Sequence, residues 1–431
     1  MKILIKNGML IHPVTKKLVK RDIMIEEQKI KQILPEIKAG QDVTAVDAEG
    51  KFVSPGLIDM HVHLREPGFV HKETIESGCR AAARGGFTTV APMPNTRPVT
   101  DSPDIVKEVV YRAEKLGLAR VVPFGAITRG EAGQELADMA GMKEAGIVGI
   151  SDDGVGVQNS KLMKQAMKWA CQLDLPVVAH CEDNSLAMGG CVHEGVFAKK
   201  FRLPGIPSSA ESVQVARDIL LAEETGVHYH VCHISTEQSV RLVREAKARG
   251  QKVTAEVTPH HLLLCDEDIP GPDANWKMNP PLRSRRDRAA LLEGLQDGTI
   301  DIIVTDHAPH TEEEKKRSME SAPFGIVGLE TAFPLLYTCL VLKGVLTLAE
   351  LVEKMTKIPA SLFQLPYGSL EEGRVADLTI IDLDQEKEII PEQFASKGRN
   401  TPFAGWKVKG WPVMTILNGQ ITWRESSFNM R

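Results

Sequence analysis

Eight short β-rich runs, spread through the middle of the chain and mostly followed by an amphipathic helical stretch, constrain this sequence more than anything else in it. They are LIDMHVHL (57–64), FTTVAPMP (87–94), RVVPFGAI (120–127), IVGISDD (147–153), PVVAHCE (176–182), HYHVCHIS (228–235), VTAEVTPHH (253–261) and IDIIVTDHAPH (300–310). Alternation with helices such as PDIVKEVVYRAEKLG and STEQSVRLVREAKARG is the pattern of βα units and a parallel sheet. Eight such units predict an α/β fold of the closed TIM (β/α)8 type in place of an open doubly wound sheet. No Gly-rich phosphate loop competes. GVGVQNS, after Asp153, lacks dinucleotide-loop spacing, does not open on a strand, and reads as a loop.

A barrel takes about 250 residues, so a chain of 431 leaves a remainder, and it lies at both ends. ILIKNGMLI places Asn-Gly between two apolar runs, which predicts a tight hairpin near the N-terminus. VMTILNGQITW (413–423) repeats the phrase near the C-terminus, and DLTIIDL (377–383) adds a strand before it. The two ends are therefore expected to meet in one small β-sandwich domain, residues 1–54 with 366–431, interrupted by a barrel over 55–365.

The formal charge of −5, without a long Lys/Arg block, lacks the electrostatic footprint of a nucleic-acid binder and favours a small-molecule substrate. MKILIKNGML carries polar residues where a signal sequence needs an apolar core, and no window supplies the roughly 20 apolar residues of a membrane span. A cytoplasmic protein is expected. Seven scattered cysteines (Cys79, Cys171, Cys181, Cys191, Cys232, Cys265, Cys339) include no CxxC pair and read as free thiols.

Barrel enzymes carry reactive groups at the C-terminal ends of their strands. Here those ends hold His61 and His63 (strand 1), Asp152 and Asp153 (strand 4), His180 (strand 5), His233 (strand 6) and Asp306 (strand 8). Strand alternation points His61 and His63 the same way, so both imidazoles can reach one ion. Any one of these residues alone is better read as a satisfied core or surface group; five strand ends together reverse that. Four histidines and two carboxylates suffice for two ions if one carboxylate bridges, and two ions can share a hydroxide and lower its pKa towards neutrality. By the same alternation Cys181, Cys232, His230 and His307 should face the helices. His71, His193 and His228 read as surface or loop residues, and His260 and His261 receive no role.

These residues resemble the amidohydrolase superfamily and, within it, the class I bacterial dihydroorotases. PGLIDMHVHLREPG is similar to a first signature shared with hydantoinases and allantoinases, VTDHAPHTEEEK to a more specific second one, and APMPNTRP and KMNPPLR to further phrases of the family. The resemblance implies two Zn²⁺, one held by His61, His63 and Asp306 and the other by His180 and His233, with Asp153 and a hydroxide bridging. Asp152 is the competing bridge, because GISDDG lacks the carboxylated lysine of many relatives. The implied reaction interconverts (S)-dihydroorotate and N-carbamoyl-L-aspartate in de novo pyrimidine synthesis, with the zinc-activated hydroxide attacking the ring amide and Asp306 as general acid/base.

The substrate also carries a carboxylate. Arg65, two residues beyond the His-x-His, can pair with it bidentately, worth roughly 1.5 to 3 kcal/mol. The resemblance adds His63, Asn95 and His310 to this group, and Asn279 with the backbone around Phe324 and Gly325 for the ring amide. Without it, Asn95 is equally an Asx-turn residue and His310 a loop cap. The charged run 311–323 reads as a solvated loop or as a lid over substrate. A hydantoinase or allantoinase is the rival enzyme, and a metal-free scaffold for another pyrimidine enzyme the rival of a different class. The expected partners are a second copy of the chain, by superfamily precedent, and an aspartate carbamoyltransferase.

Overall fold

The computed structural model describes residues 2–38, 40 and 42–428. Its central unit is a closed barrel of eight parallel strands. Leu57–Val62 pairs with Phe87–Pro92 and that with Arg120–Val121. Gly125–Ala126 then pairs with Ile150–Ser151, followed in order by Val177–Ala179, Tyr229–Val231, Val253–Val257 and Ile302–Ile303. The third strand is split because Pro123 has no N–H to give. Val122 and Phe124 on either side donate to Val90 and Pro92 and keep the strand in place.

Closure between the eighth and first strands rests on side chains as much as on the ladder. The His63 N–H donates to the His307 carbonyl at 2.8 Å, and the Asp59 carboxylate accepts from the Thr305 hydroxyl at 2.6 Å and from its N–H. Ile58, Met60, Met93, Phe124, Val178, Ile302 and Val304 fill the interior below the mouth, and Phe363 closes the far end against Phe124. Val90, Val177, Tyr229, Val231 and Val257 face outward into the helical layer. Truncating a fully buried ring such as Phe124 to alanine costs about 3–5 kcal/mol. Helix Glu237–Ala248 starts directly behind the sixth strand, capped by the Thr236 side chain on the Ser239 N–H, which keeps the strand-to-helix link short.

Strands from the two ends of the chain form a separate β-sandwich domain with its own core of Ile3, Ile5, Ile23, Ile25, Val53, Leu378, Ile380 and Ile416. Its sheet joins Lys2–Ile11 through Phe52–Pro55 to Leu378–Glu388, Lys407–Leu417 and Gln420–Arg424. Asn418 and Gly419, with φ of 50° and 72°, make the two-residue turn of the last hairpin. The first Asn-Gly corrects the sequence reading, since Lys2–Ile11 is one continuous strand and Asn7–Gly8 is a bulge within it. Tertiary contacts hold it there. The Asn7 N–H donates to Asp22 and its side chain to Asp47, while a Cβ on Gly8 would meet Val53 at 2.6 Å.

Candidate active site

The barrel's C-terminal mouth gathers five side chains around one carboxylate. Asp153 Oδ1 lies 3.4 Å from His61 Nε2, 3.7 Å from His233 Nε2 and 3.8 Å from His180 Nδ1, and its Oδ2 is 3.6 Å from His63 Nε2. Asp306 Oδ1 sits on the other side, 3.0 Å from His63 Nε2 and 3.6 Å from His61 Nε2. Two ligand groups result, His61–His63–Asp306 and Asp153–His180–His233, all buried, and a third, His61–Asp153–Cys232, links them. Asp152 turns away from this centre. It accepts from the Ile127 and Thr128 N–H groups and the Thr128 hydroxyl, and burial pushes its carboxyl up to about 6.

Backbone departures at the strand ends aim these groups. His233 and Asp306 adopt positive φ of 26° and 48°, outside β geometry. Around Asp306 the neighbours fix this turn, because Thr305 is held by Asp59 and the His307 N–H returns to the Thr305 hydroxyl at 3.1 Å. The same departure corrects two expectations from strand parity. His230 and Cys232 point into the barrel, His230 onto Glu256 and Cys232 into the interior core, where its sulfur lies with His61 and Asp153. Cys181 and His307 do face the helical layer, Cys181 against Tyr229 and His307 against Glu73. His193 is buried beside Arg283, against the surface or loop reading, while His228 lies in the loop before the sixth strand, half-buried against Thr254.

Two groups orient the rings. Glu256 Oε1 lies 2.5 Å from His61 Nδ1 and its Oε2 3.1 Å from His230 Nε2, directing His61 Nε2 inward. Glu256 was missed by the sequence reading; the signal is an acid inside the apolar run VTAEV. Asn95 accepts from His63 Nδ1 at 3.0 Å and donates to Asp153 Oδ2 at 3.1 Å. Its amide is thus committed at both ends to the cluster.

The donor set fits metal ions. His61 Nε2 and Asp153 Oδ1, which face each other across the cluster, are buried without a hydrogen-bond partner, a costly arrangement unless something else satisfies them. The electrostatics agree: burial disfavours a charged His61, yet Glu256 and Asp153 outweigh it and raise its pKa well above the ordinary value. Burial likewise opposes ionised Asp306, but the His63 hydrogen bond and the nearby His61 pull its carboxyl down. The pocket asks for positive charge, which divalent ions supply.

Beside the cluster a cavity of about 140 Å³ is lined by His63, Arg65, Asn95, Asn279, Phe324 and Gly325 among others. Arg65 is half-buried, its Nε donates to the Pro309 carbonyl at 3.3 Å, and no carboxylate pairs with it among the described residues. Burial pulls its guanidinium down to about 10. His310 borders Arg65 and lies 2.7 Å from the Phe324 carbonyl through Nε2, while Lys72 approaches Nδ1 at 3.2 Å. Burial, then Arg65, Lys72 and Lys315, hold this imidazole far below its usual pKa, so it is neutral and donates through Nε2. Asn279 Oδ1 is a buried acceptor with no partner.

A dihydro-orotase-like family profile matches residues 50–239. A dihydroorotase from Halalkalibacterium halodurans is 60% identical over 427 residues, 99% of each chain. One from Brevibacillus brevis is 63% identical over 381 residues, 88% of this chain and 89% of that one. Among solved structures, an L-hydantoinase (dihydropyrimidinase) from Arthrobacter aurescens has a TM-score of 0.87 at 27% identity, covering 99% of this chain and 97% of that one.

Proposed function

This chain belongs to the dihydroorotase family, and we infer that its barrel mouth opens and closes the six-membered cyclic amide of (S)-dihydroorotate, interconverting it with N-carbamoyl-L-aspartate in de novo pyrimidine synthesis. The observation that carries this substrate is Arg65, a half-buried cation lining the cavity beside the cluster with no carboxylate partner of its own. A charge partly withdrawn from water favours an opposite partner, and the substrate carboxylate is that partner. Hydantoin and allantoin bring none.

We assign His61, His63 and Asp306 to one zinc and His180 and His233 to a second, with Asp153 between them. The partnerless His61 Nε2 and Asp153 Oδ1, the approach of His180 Nδ1 and His233 Nε2 to Asp153, and the central position of that carboxylate support the assignment. Bound there, the ions supply Lewis acidity towards the ring carbonyl and acidify water. Asp306 moves the proton. One of its oxygens is turned to His63 and His61, and Oδ2 accepts no hydrogen bond among the described residues. Ionised Asp306 takes a proton from the attacking water at Oδ2 and delivers it to the ring nitrogen as the C–N bond breaks, a role worth about 10²–10⁴ in rate. In the biosynthetic direction it takes the proton from the carbamoyl nitrogen as the ring closes.

Arg65 orients the substrate through its carboxylate, and neutral His310 braces the Phe324 carbonyl beside it. Asn279 Oδ1 is placed to accept the ring N–H. No helix among the described residues is long and apolar enough to cross a membrane. We place the enzyme in the cytoplasm as a homodimer, supported by Trp169 and Leu220, exposed on the packed helices Ser160–Gln172 and Ser209–Thr225.

The test is steady-state turnover of (S)-dihydroorotate beside hydantoin, allantoin and dihydrouracil, the last being the same ring without its carboxylate. Dihydroorotate is expected to lead in kcat/KM by at least the tenfold that a charged hydrogen bond supplies. A higher kcat/KM for dihydrouracil or hydantoin overturns the assignment.

A further inference from the structure

Two buried lysines outside the metal cluster lie behind the Phe324–Gly325 wall of the substrate cavity, and neither has a carboxylate within ion-pair distance among the described residues. Lys315, 6% exposed, directs Nζ at the carbonyls of Gly325 (2.9 Å), Pro323 (3.1 Å) and Lys277 (3.2 Å). Lys277, 3% exposed, directs its own Nζ at the carbonyls of Ala322 (2.6 Å) and Glu320 (3.2 Å), and lies 4.3 Å from the centre of the Phe324 ring. The Gly325 N–H closes the arrangement by donating to the Lys277 carbonyl at 3.0 Å.

Segment 316–325 has no regular ladder to satisfy its buried carbonyls, and the two ammonium groups do so instead. An ammonium has three donors and no acceptor, so Lys315 with three carbonyls is fully used. Asn400 joins it on the Gly325 carbonyl at 2.9 Å, and His310 takes the Phe324 carbonyl. Of the Phe324–Gly325 backbone groups, only the Phe324 N–H is left uncommitted among the described residues, and Phe324 lines the cavity.

We propose that Lys315 and Lys277 are positioning residues that lock the 320–325 backbone so that the Phe324 N–H stands ready for the ring amide of the substrate. This rests on the dihydroorotase reading of the site. The lysines touch neither the metal cluster nor Arg65, so they govern how the ring is held and leave the carboxylate anchor and proton transfer alone. The Lys315 contacts and the buried Met319 also tie the run 311–323 to this wall.

The experiment compares Lys315→Met, Lys315→Arg and Lys277→Met with wild type for dihydroorotate kinetics, and for inhibition by succinate, an anion with no ring amide. Lys315→Met should raise KM about tenfold or more, the scale of one charged hydrogen bond, with kcat within about threefold and succinate inhibition unchanged. Lys315→Arg should recover part of the loss. Lys277→Met should show the same split more weakly, and carries the test if Lys315→Met fails to fold. Unchanged KM in both methionine variants, or succinate inhibition weakened by the same factor as KM, overturns the proposal. Wild type that does not turn over dihydroorotate would instead be a failure of the dihydroorotase reading.

Discussion

Oε1 of Glu256 lies 2.5 Å from Nδ1 of His61, and this contact determines which ring nitrogen faces the cluster. With Nδ1–H given to the carboxylate, Nε2 is left as a lone-pair donor aimed between Asp153 and Asp306. Glu256 also binds His230 and the His233 N–H, so one buried carboxylate ties strands 1, 6 and 7 together beneath the mouth. Burial pushes its carboxyl up, but His61 and His230 outweigh this and bring it down to about 2. Glu256→Gln keeps the shape and removes the charge. Metal affinity, measured by chelator competition, should fall about 10–100-fold, as for other partners of metal-bound imidazoles.

Adjacent aspartates should separate cleanly. Asp153→Asn removes the carboxylate that four histidines surround, and bound metal per chain should fall. Asp152→Asn leaves the cluster intact but weakens the accepting groups for Ile127 and Thr128, so metal content should be retained while unfolding stability drops by about 1–3 kcal/mol. Metal analysis with urea unfolding on both variants checks this.

Arg65→Met should raise KM for dihydroorotate about 10–100-fold, the equivalent of roughly 1.5 to 3 kcal/mol, with a smaller change in kcat. Dihydrouracil, lacking the carboxylate, should bind wild type and variant alike. Competition assays with the two ligands give the comparison directly.

His228 carries a pH prediction away from the cluster. Burial lowers its pKa to about 4, helped by His230 and Lys252 and opposed by Asp174. The unfolded chain titrates near 6.5, so its stabilising effect is intact above that value and is lost as pH falls towards 4. Between pH 7 and pH 5 this costs about 2 kcal/mol. His228→Asn should therefore lose less stability than wild type between urea titrations at pH 7 and pH 5.

The alternation of strands and helices was legible because a period is a local property, and the strand-end ligand types were legible because barrels expose those ends. Parity was not a safe guide at the ends themselves. His233 and Asp306 leave β geometry at the point where their side chains matter, which brings Cys232 inside against expectation. The two Asn-Gly pairs show the same limit. At 418–419 the pair makes a turn, and at 7–8 it makes a bulge because Asp22, Asp47 and Val53, distant in sequence, hold it flat against the sheet. Glu256, Lys277 and Lys315 were overlooked because their roles lie in what they meet across the fold, which spacing does not encode.

The most direct test of the account is the rate of dihydroorotate opening by Asp306→Asn in protein whose metal content has been measured. Asparagine cannot carry the proton from water to ring nitrogen, so the rate per metal-loaded chain should fall about 10²–10⁴-fold with substrate still bound. A metal-loaded variant within tenfold of wild type would contradict Asp306 as the group that moves the proton.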